Sequence, residues 1–111
     1  MAFRGDISAL VLAVLDPDPL HGYQIARSLK EKGGVGKMTE GQIYPYLHKL
    51  EADGLVTAHW DTETGGAPRR MYQLTEAGLR ELQKQRKVWK EFVSGVGLLM
   101  NQGTVLGGEN A

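Results

Sequence analysis

The chain has 111 residues, 41% of them hydrophobic, which is enough for a single domain with its own core. It has no cysteine, so disulfides, cysteine-ligated zinc and thiol catalysis are excluded. The formal net charge is zero, so nucleic-acid binding would depend on where the 13 basic residues gather. No apolar run approaches the roughly 20 residues that span a bilayer, and the first residues lack a signal-peptide pattern. We therefore expect a cytoplasmic protein without a membrane segment.

Apolar residues recur with helical spacing in the first third of the chain. They predict a first helix over 7–15, capped by Asp6 and ended by two closely spaced prolines. A second helix is predicted over 20–32. The glycine-rich segment 33–36 that follows is typical of a flexible connector.

A third helix is marked at both ends. Thr39 and Gln42 have the spacing of a capping box, and Gly54 is typical of a helix end. A helical projection separates an apolar inner side from an outer side with small and polar residues. The inner side comprises Ile43, Tyr46, Leu47 and Leu50, and the outer side Gly41, Pro45, His48 and Ala52.

The pattern then changes from helical to alternating and back. Alternation over 55–60 and 69–74, around a connection rich in turn residues, predicts a β-hairpin. Thr75 can cap a last helix over 76–100. The predicted fold is mainly α with a small β-hairpin. It divides the chain into a domain over 1–75, a helix over 76–101 and a flexible tail over 102–111.

Three helices followed by a hairpin is the element order of a winged helix-turn-helix, whose third helix enters the DNA major groove. The outer side of helix 3 carries side chains suited to base edges. Arg69 and Arg70 follow the glycine-rich hairpin tip, where they can contact phosphates. Two alternatives stay open: the helix face is only solvated, or Asp61 and Glu63 neutralise the arginines across the loop.

Three segments of the sequence carry a family resemblance. They are LHGYQI at 20–25, GQIYPYLHKLEADGLV at 41–56 and GAPRRMYQLTEAG at 66–78. In this order and spacing they resemble motifs of the PadR family of transcriptional regulators, from about residue 7 to residue 90. The resemblance implies a winged helix-turn-helix with one C-terminal dimerisation helix. It implies a homodimer on a palindromic operator in double-stranded DNA, usually a repressor, released when a small molecule binds.

Helix 3, the hairpin and the matched start of helix 2 define the predicted DNA-binding residues. The family keeps a Tyr-Pro pair in helix 3, which implies that the helix tolerates Pro45 and that Tyr44 faces DNA. The full predicted set is Tyr23, Gln24, Thr39, Gln42, Tyr44, Pro45, His48, Lys49, Gly65, Gly66, Arg69 and Arg70.

The last helix has a wider apolar stripe than a small domain can cover, which predicts a homodimer. In multidrug-responsive members of the short PadR subgroup, a tryptophan on this helix stacks on planar aromatic compounds, and Trp89 occupies the similar place. The alternative is that Trp89 only packs between the two protomers and binds no effector. The predicted effector and dimer-interface residues are Trp89, Phe92, Val93, Val96, Ile7 and Val11.

Other functions have less support. The three histidines lack metal-ligand spacing, and neither a catalytic triad nor a phosphate-binding loop can be assigned, so we expect no enzyme, no cofactor and no metal. A winged-helix module that binds protein instead of DNA is the main alternative, because the net charge is zero. A regulator without a small-molecule effector is the other.

Overall fold

The computed structural model describes residues 7–32, 38–63 and 65–103. Within them, the helices are α1 (Ile7–Val14), α2 (Gly22–Glu31), α3 (Glu40–Ala52) and α4 (Glu76–Met100), and the strands are β1 (Leu20–His21), β2 (Val56–Asp61) and β3 (Arg69–Leu74). The mainly α fold and the β2–β3 hairpin are confirmed. The predicted cap Asp6, the connector 33–36 and the tail from 104 onward lie outside the described residues.

The second helix begins two residues later than the sequence pattern predicts. Leu20 and His21, predicted as its first turn, form β1 and pair antiparallel with Tyr72 and Met71 of β3. The sheet order is therefore β1-β3-β2. The extended backbone at His21 makes it the N-cap of α2, where its N–H donates to Gln24 Oε1 at 3.1 Å. Leu20 and His21 are extended because they pair with a strand some 50 residues away in the chain, and helical periodicity cannot predict such pairing.

Helix α3 has the predicted capping box. Thr39 Oγ1 accepts a hydrogen bond from Gln42 N at 3.3 Å, and Gln42 Oε1 accepts one from Thr39 N at 2.9 Å. The helix continues through Pro45 to its C-cap, Asp53. Gly54 follows with a φ of 76°, a left-handed conformation that favours glycine and turns the chain into β2.

One hydrophobic core joins the first three helices to the sheet and to the start of α4. On α3 the predicted inner side is confirmed, since Ile43, Leu47 and Leu50 are buried and Tyr46 is half-buried. The buried members of the core are Val11, Leu12, Leu15, Ile25, Leu29, Ile43, Leu47, Leu50, Val56, Tyr72 and Leu82. The outer residues of α3 predicted from the projection are exposed.

Helix α4 is attached by its first turns. Thr75 Oγ1 accepts a hydrogen bond from Gly78 N at 3.0 Å and donates one to Gly54 O at 2.7 Å. Gly78 lies so close to the Leu55 carbonyl that a Cβ at this position would overlap it. Beyond Leu82 no residue of α4 is buried. None of the helices formed by the described residues is both long and apolar enough to cross a membrane.

Candidate functional site

A cleft of about 720 Å³ lies between the start of α2, the outer side of α3 and the hairpin. Its walls combine aromatic rings, two histidines, two arginines and one carboxylate. They are formed by His21, Tyr23, Glu40, Tyr44, His48, Trp60, Pro68, Arg69, Arg70 and Tyr72. Five of the predicted DNA-binding residues, Tyr23, Tyr44, His48, Arg69 and Arg70, are thus brought together on one surface.

The other predicted residues lie along the same side of the molecule or take part in caps. Gln24, Thr39 and Gln42 are exposed, and each has a side-chain oxygen in a helix cap. Pro45 and Lys49 are exposed on α3, and Lys49 Nζ lies 3.2 Å from Asp53 Oδ2. The hairpin tip holds Gly65 and Gly66, both with a φ of 75°. Two consecutive left-handed residues explain why glycines occupy this tip.

Tyr44 is fixed from two sides. Its hydroxyl donates to Glu40 Oε2 at 2.7 Å, and this hydrogen bond, with burial second, raises the pKa of Tyr44 to about 12. Its ring lies on the backbone of Gly22, where an added Cβ would come within 2.8 Å of the hydroxyl oxygen. The ring centroid of His48 is 6.0 Å away. Tyr44 is therefore a half-buried, oriented part of the cleft wall.

Arg70 connects the hairpin to α3. Its Nη2 lies 3.4 Å from Glu51 Oε2, and its guanidinium carbon lies 5.3 Å from the ring centroid of Trp60, its cross-strand partner. Trp60 is 60% exposed beside the cleft. The sequence-based site included neither Trp60 nor Glu51. The alternation of β2 and β3 could have placed Trp60 opposite Arg70, whereas the contact with Glu51 depends on how the hairpin packs.

Arg69 contacts the start of α2. Its Nη1 lies 2.9 Å from His21 Nε2, and since a guanidinium only donates, Nε2 is the unprotonated ring nitrogen. Burial, followed by the charge of Arg69, lowers the pKa of His21. In the described part of the chain neither Asp61 nor Glu63 forms an ion pair with the two arginines. Ion pairing of these carboxylates with the arginines across the loop is therefore not seen in this structure, although Asp61 lies opposite Arg69 in the sheet.

The second half of α4 has an exposed apolar stripe, formed by Trp89, Phe92, Val93, Val96, Leu99 and Met100. The rings of Trp89 and Phe92 are stacked, with centroids 6.3 Å apart and an interplanar angle of 28°. Trp89 is 47% exposed.

Two residues of α1 were also predicted to contribute to this surface. Ile7 is half-buried against the core. Val11 has no exposed surface because it packs inside the core, so its prediction as an interface residue is corrected.

A three-helix domain followed by a hairpin, with the outer side of the third helix open beside that hairpin, is a winged helix-turn-helix. This is a fold of DNA-binding transcriptional regulators. Residues 11–84 match the model of the transcriptional regulator PadR-like family. The chain belongs to this family and is a transcriptional regulator, not an enzyme.

Individual relatives agree with this assignment. A transcriptional regulator of Mycobacterium tuberculosis is 35% identical over 77 residues, which cover 69% of each chain. The crystal structure of a PadR family regulator from Eggerthella lenta is 34% identical, with a TM-score of 0.74 over 90% of this chain and 86% of that chain. Bacillus subtilis PadR, solved in complex with operator DNA, is 32% identical, with a TM-score of 0.62. That match covers 70% of this chain and 45% of the Bacillus protein.

Proposed function

We propose that this regulator binds a palindromic operator as a homodimer and represses transcription until a small, planar aromatic effector releases it. The observation that carries the proposal is the outer side of α3, which is exposed beside the hairpin while the opposite side is buried in the core. A helix presented in this way can enter the major groove, and the hairpin can follow the phosphates or the minor groove. In this proposal 1–75 is the DNA-binding domain, 76–101 is the dimerisation helix, and the site of action is the cytoplasm.

The basic residues of the DNA face have unequal roles in this proposal. Arg70 and Lys49 each have a carboxylate partner within 3.4 Å, which reduces the charge they offer to phosphate. Arg69 is exposed and contacts a histidine instead of a carboxylate. We therefore assign the main phosphate contact of the hairpin to Arg69. Arg70 contributes through the position of the hairpin and through Trp60.

Dimerisation through α4 is supported by the apolar stripe. Soluble proteins rarely leave a continuous apolar surface of this kind uncovered. A second α4 packed against it would form a two-fold symmetric interface. With 25 residues the helix is about 37 Å long, so its second half extends well beyond the winged domain. Two-fold symmetry would place the recognition helices about 34 Å apart, one turn of DNA, which matches an inverted repeat.

The effector would bind at the dimer interface. Trp89 and Phe92 present adjacent, nearly parallel rings on the apolar stripe. Flat aromatic compounds stack on such rings, and a cationic group adds an attraction to the indole face. Binding between protomers could change the separation of the two recognition helices and so release DNA.

Selection from random duplexes, followed by a salt titration on the enriched site, tests DNA binding. We expect an inverted repeat and an affinity that falls linearly on a log–log plot against salt. Tyr44→Ala and Arg70→Ala should weaken binding while the circular dichroism spectrum stays unchanged. No enriched palindrome, or an affinity independent of salt, would contradict operator binding. A reporter gene behind the selected site then distinguishes repression from activation.

Fluorescence quenching tests the effector site. In a Trp60→Phe background Trp89 is the only tryptophan, because the chain has two. Planar aromatic compounds should quench its emission and weaken operator binding over the same concentration range. Quenching without any change in DNA affinity would separate ligand binding from regulation and contradict the release mechanism.

The second candidate is a winged-helix module that binds a protein and not DNA. It is favoured by the zero net charge of the chain and by the carboxylate partners of Arg70 and Lys49. The duplex selection decides between the two candidates, since a protein-binding module enriches no sequence.

A further inference from the structure

One carboxylate lies on the surface proposed to bind DNA, at a position that assigns it a role in specificity. Glu40 is the first residue of α3, directly after the cap Thr39, and it is exposed in the wall of the cleft. The N-terminal residues of a recognition helix are those that reach base edges. We infer that Glu40 reads a cytosine in each half-site of the operator, an inference that rests on the proposed DNA binding.

The chemistry of the major groove selects the base. An ionised carboxylate has only acceptors, and among the bases only cytosine N4 and adenine N6 offer a donor in this groove. Guanine and thymine present acceptors, which would repel it. Adenine places the acceptor N7 beside its donor, whereas cytosine presents the donor without an adjacent acceptor. Cytosine is therefore the preferred partner.

The carboxylate is oriented before DNA arrives. Glu40 Oε2 accepts the hydroxyl of Tyr44 at 2.7 Å, and the ring of Tyr44 rests on the bare backbone of Gly22. Within the described part of the chain the other oxygen, Oε1, accepts no hydrogen bond from a side chain or backbone group. One oxygen is thus held by the protein and the other is available to a base. Orientation by a rigid neighbour improves discrimination, because a misplaced acceptor cannot adjust to another base.

Two other carboxylates lie at the opposite, C-terminal end of α3, and both form ion pairs. Glu51 pairs with Arg70, and Asp53 pairs with Lys49. Among the described residues Glu40 has no basic side chain within ion-pair distance. The presence of a carboxylate at this position is therefore not explained by the neutralisation of a cation. A bare charge beside phosphates would weaken binding to every sequence. If the carboxylate also accepts a hydrogen bond from a base, the repulsion is offset only on operators that carry this base, and the protein becomes selective for them.

Duplex selection with three proteins tests the inference. The wild type should select one cytosine per half-site that Glu40→Gln replaces by adenine, because glutamine pairs with adenine N6 and N7. At that position the preference for cytosine over the other bases should fall by about tenfold or more. Tyr44→Phe, which keeps the ring and removes only the hydroxyl that orients Glu40, should reduce the same preference.

The control is Glu76→Gln. Glu76 occupies the matching first position of α4 after the cap Thr75, so this variant loses the same charge at a helix start outside the cleft. It should select the wild-type site. If Glu40→Gln also selects the wild-type site, or strengthens binding to all duplexes equally, Glu40 does not read a base. If the wild type enriches no palindrome, the proposed function itself fails and this inference with it.

Discussion

Helices α3 and α4 differ in which of their two sides, the polar or the apolar one, is exposed to solvent. Helix α3 buries an apolar side in the core of its own chain and exposes a polar side with small residues. Helix α4 buries Gly78 and Leu82 near its start and then exposes an apolar stripe over its second half. An exposed polar side is stable in water and available to DNA, whereas an exposed apolar side requires a covering partner.

The two proposed activities lie in different parts of the molecule. The proposed DNA contacts belong to a surface whose helix is held by the core, and the proposed oligomerisation belongs to a helix whose second half lies beyond the core. The ion pair between Arg86 and Asp16, with 3.0 Å between Nη2 and Oδ2, is a further attachment of α4 to the winged domain. In the proposed dimer, a change in the geometry of the interface between the two α4 helices would therefore rotate each winged domain as a whole.

The attachment of α4 should be broken most strongly by Gly78→Ala. A Cβ at this position overlaps the backbone carbonyl of Leu55, which cannot rotate away like a side chain. We expect a loss of about 3 kcal/mol in the free energy of unfolding, measured by urea denaturation. The control is Gly95→Ala on the same helix, where nothing lies within 4 Å of an added Cβ. It should instead stabilise the helix by up to about 1 kcal/mol. Equal effects at the two positions would contradict the close packing at Gly78.

The apolar stripe should be tested by Phe92→Glu. A charge at the centre of the proposed interface would be buried without a partner, so the dimer dissociation constant should rise at least about thirtyfold, or ~2 kcal/mol. Sedimentation equilibrium measures this change. Ser94→Glu is the matched control, because Ser94 is exposed on the opposite side of the helix. If both variants dimerise like the wild type, the stripe is not the interface.

On the polar surface, Arg69→Ala should change how strongly the affinity for operator DNA depends on salt concentration. In the proposed homodimer the variant loses one phosphate contact per protomer, so the slope of log affinity against log salt becomes shallower by about 2, and binding weakens similarly for all operator sequences. Lys90→Ala, an exposed cation of α4 outside the cleft, should leave the slope unchanged. A larger loss of slope in Arg70→Ala than in Arg69→Ala would reverse the roles assigned to the two arginines.

The smallest expected effect concerns Tyr44 at high pH. Its pKa is raised to about 12, so between pH 10 and 12 the unfolded chain loses a proton that the folded chain keeps. The stabilising contribution of this group is complete below pH 10 and falls as pH rises through that window. Glu40→Gln removes the acceptor carboxylate and should move the pKa back toward 10. Ultraviolet titration measures the phenolate, with Tyr44→Phe identifying the signal; an unchanged curve in Glu40→Gln would contradict the hydrogen bond.

Much of the fold could be predicted from the sequence because its signals are local. Capping residues placed the starts of α3 and α4 at Thr39 and Thr75, and helical periodicity separated the two sides of α3. The prediction of α2 was wrong at its first two residues, where Leu20 and His21 pair with β3. Val11 was predicted as an interface residue together with Ile7, but the core covers Val11 entirely.

By itself, the sequence determined the order of the four helices and the hairpin, the caps of α3 and α4, and the family motifs, since these depend on residues close together in the chain. Only the tertiary structure decided the contacts between separate elements of the cleft: Arg70 with Glu51, Arg69 with His21, and Tyr44 with Gly22. These contacts of the two arginines join residues 19 to 48 positions apart, and periodicity within one element cannot specify them. They follow from how the hairpin and the start of α2 pack beside the recognition helix.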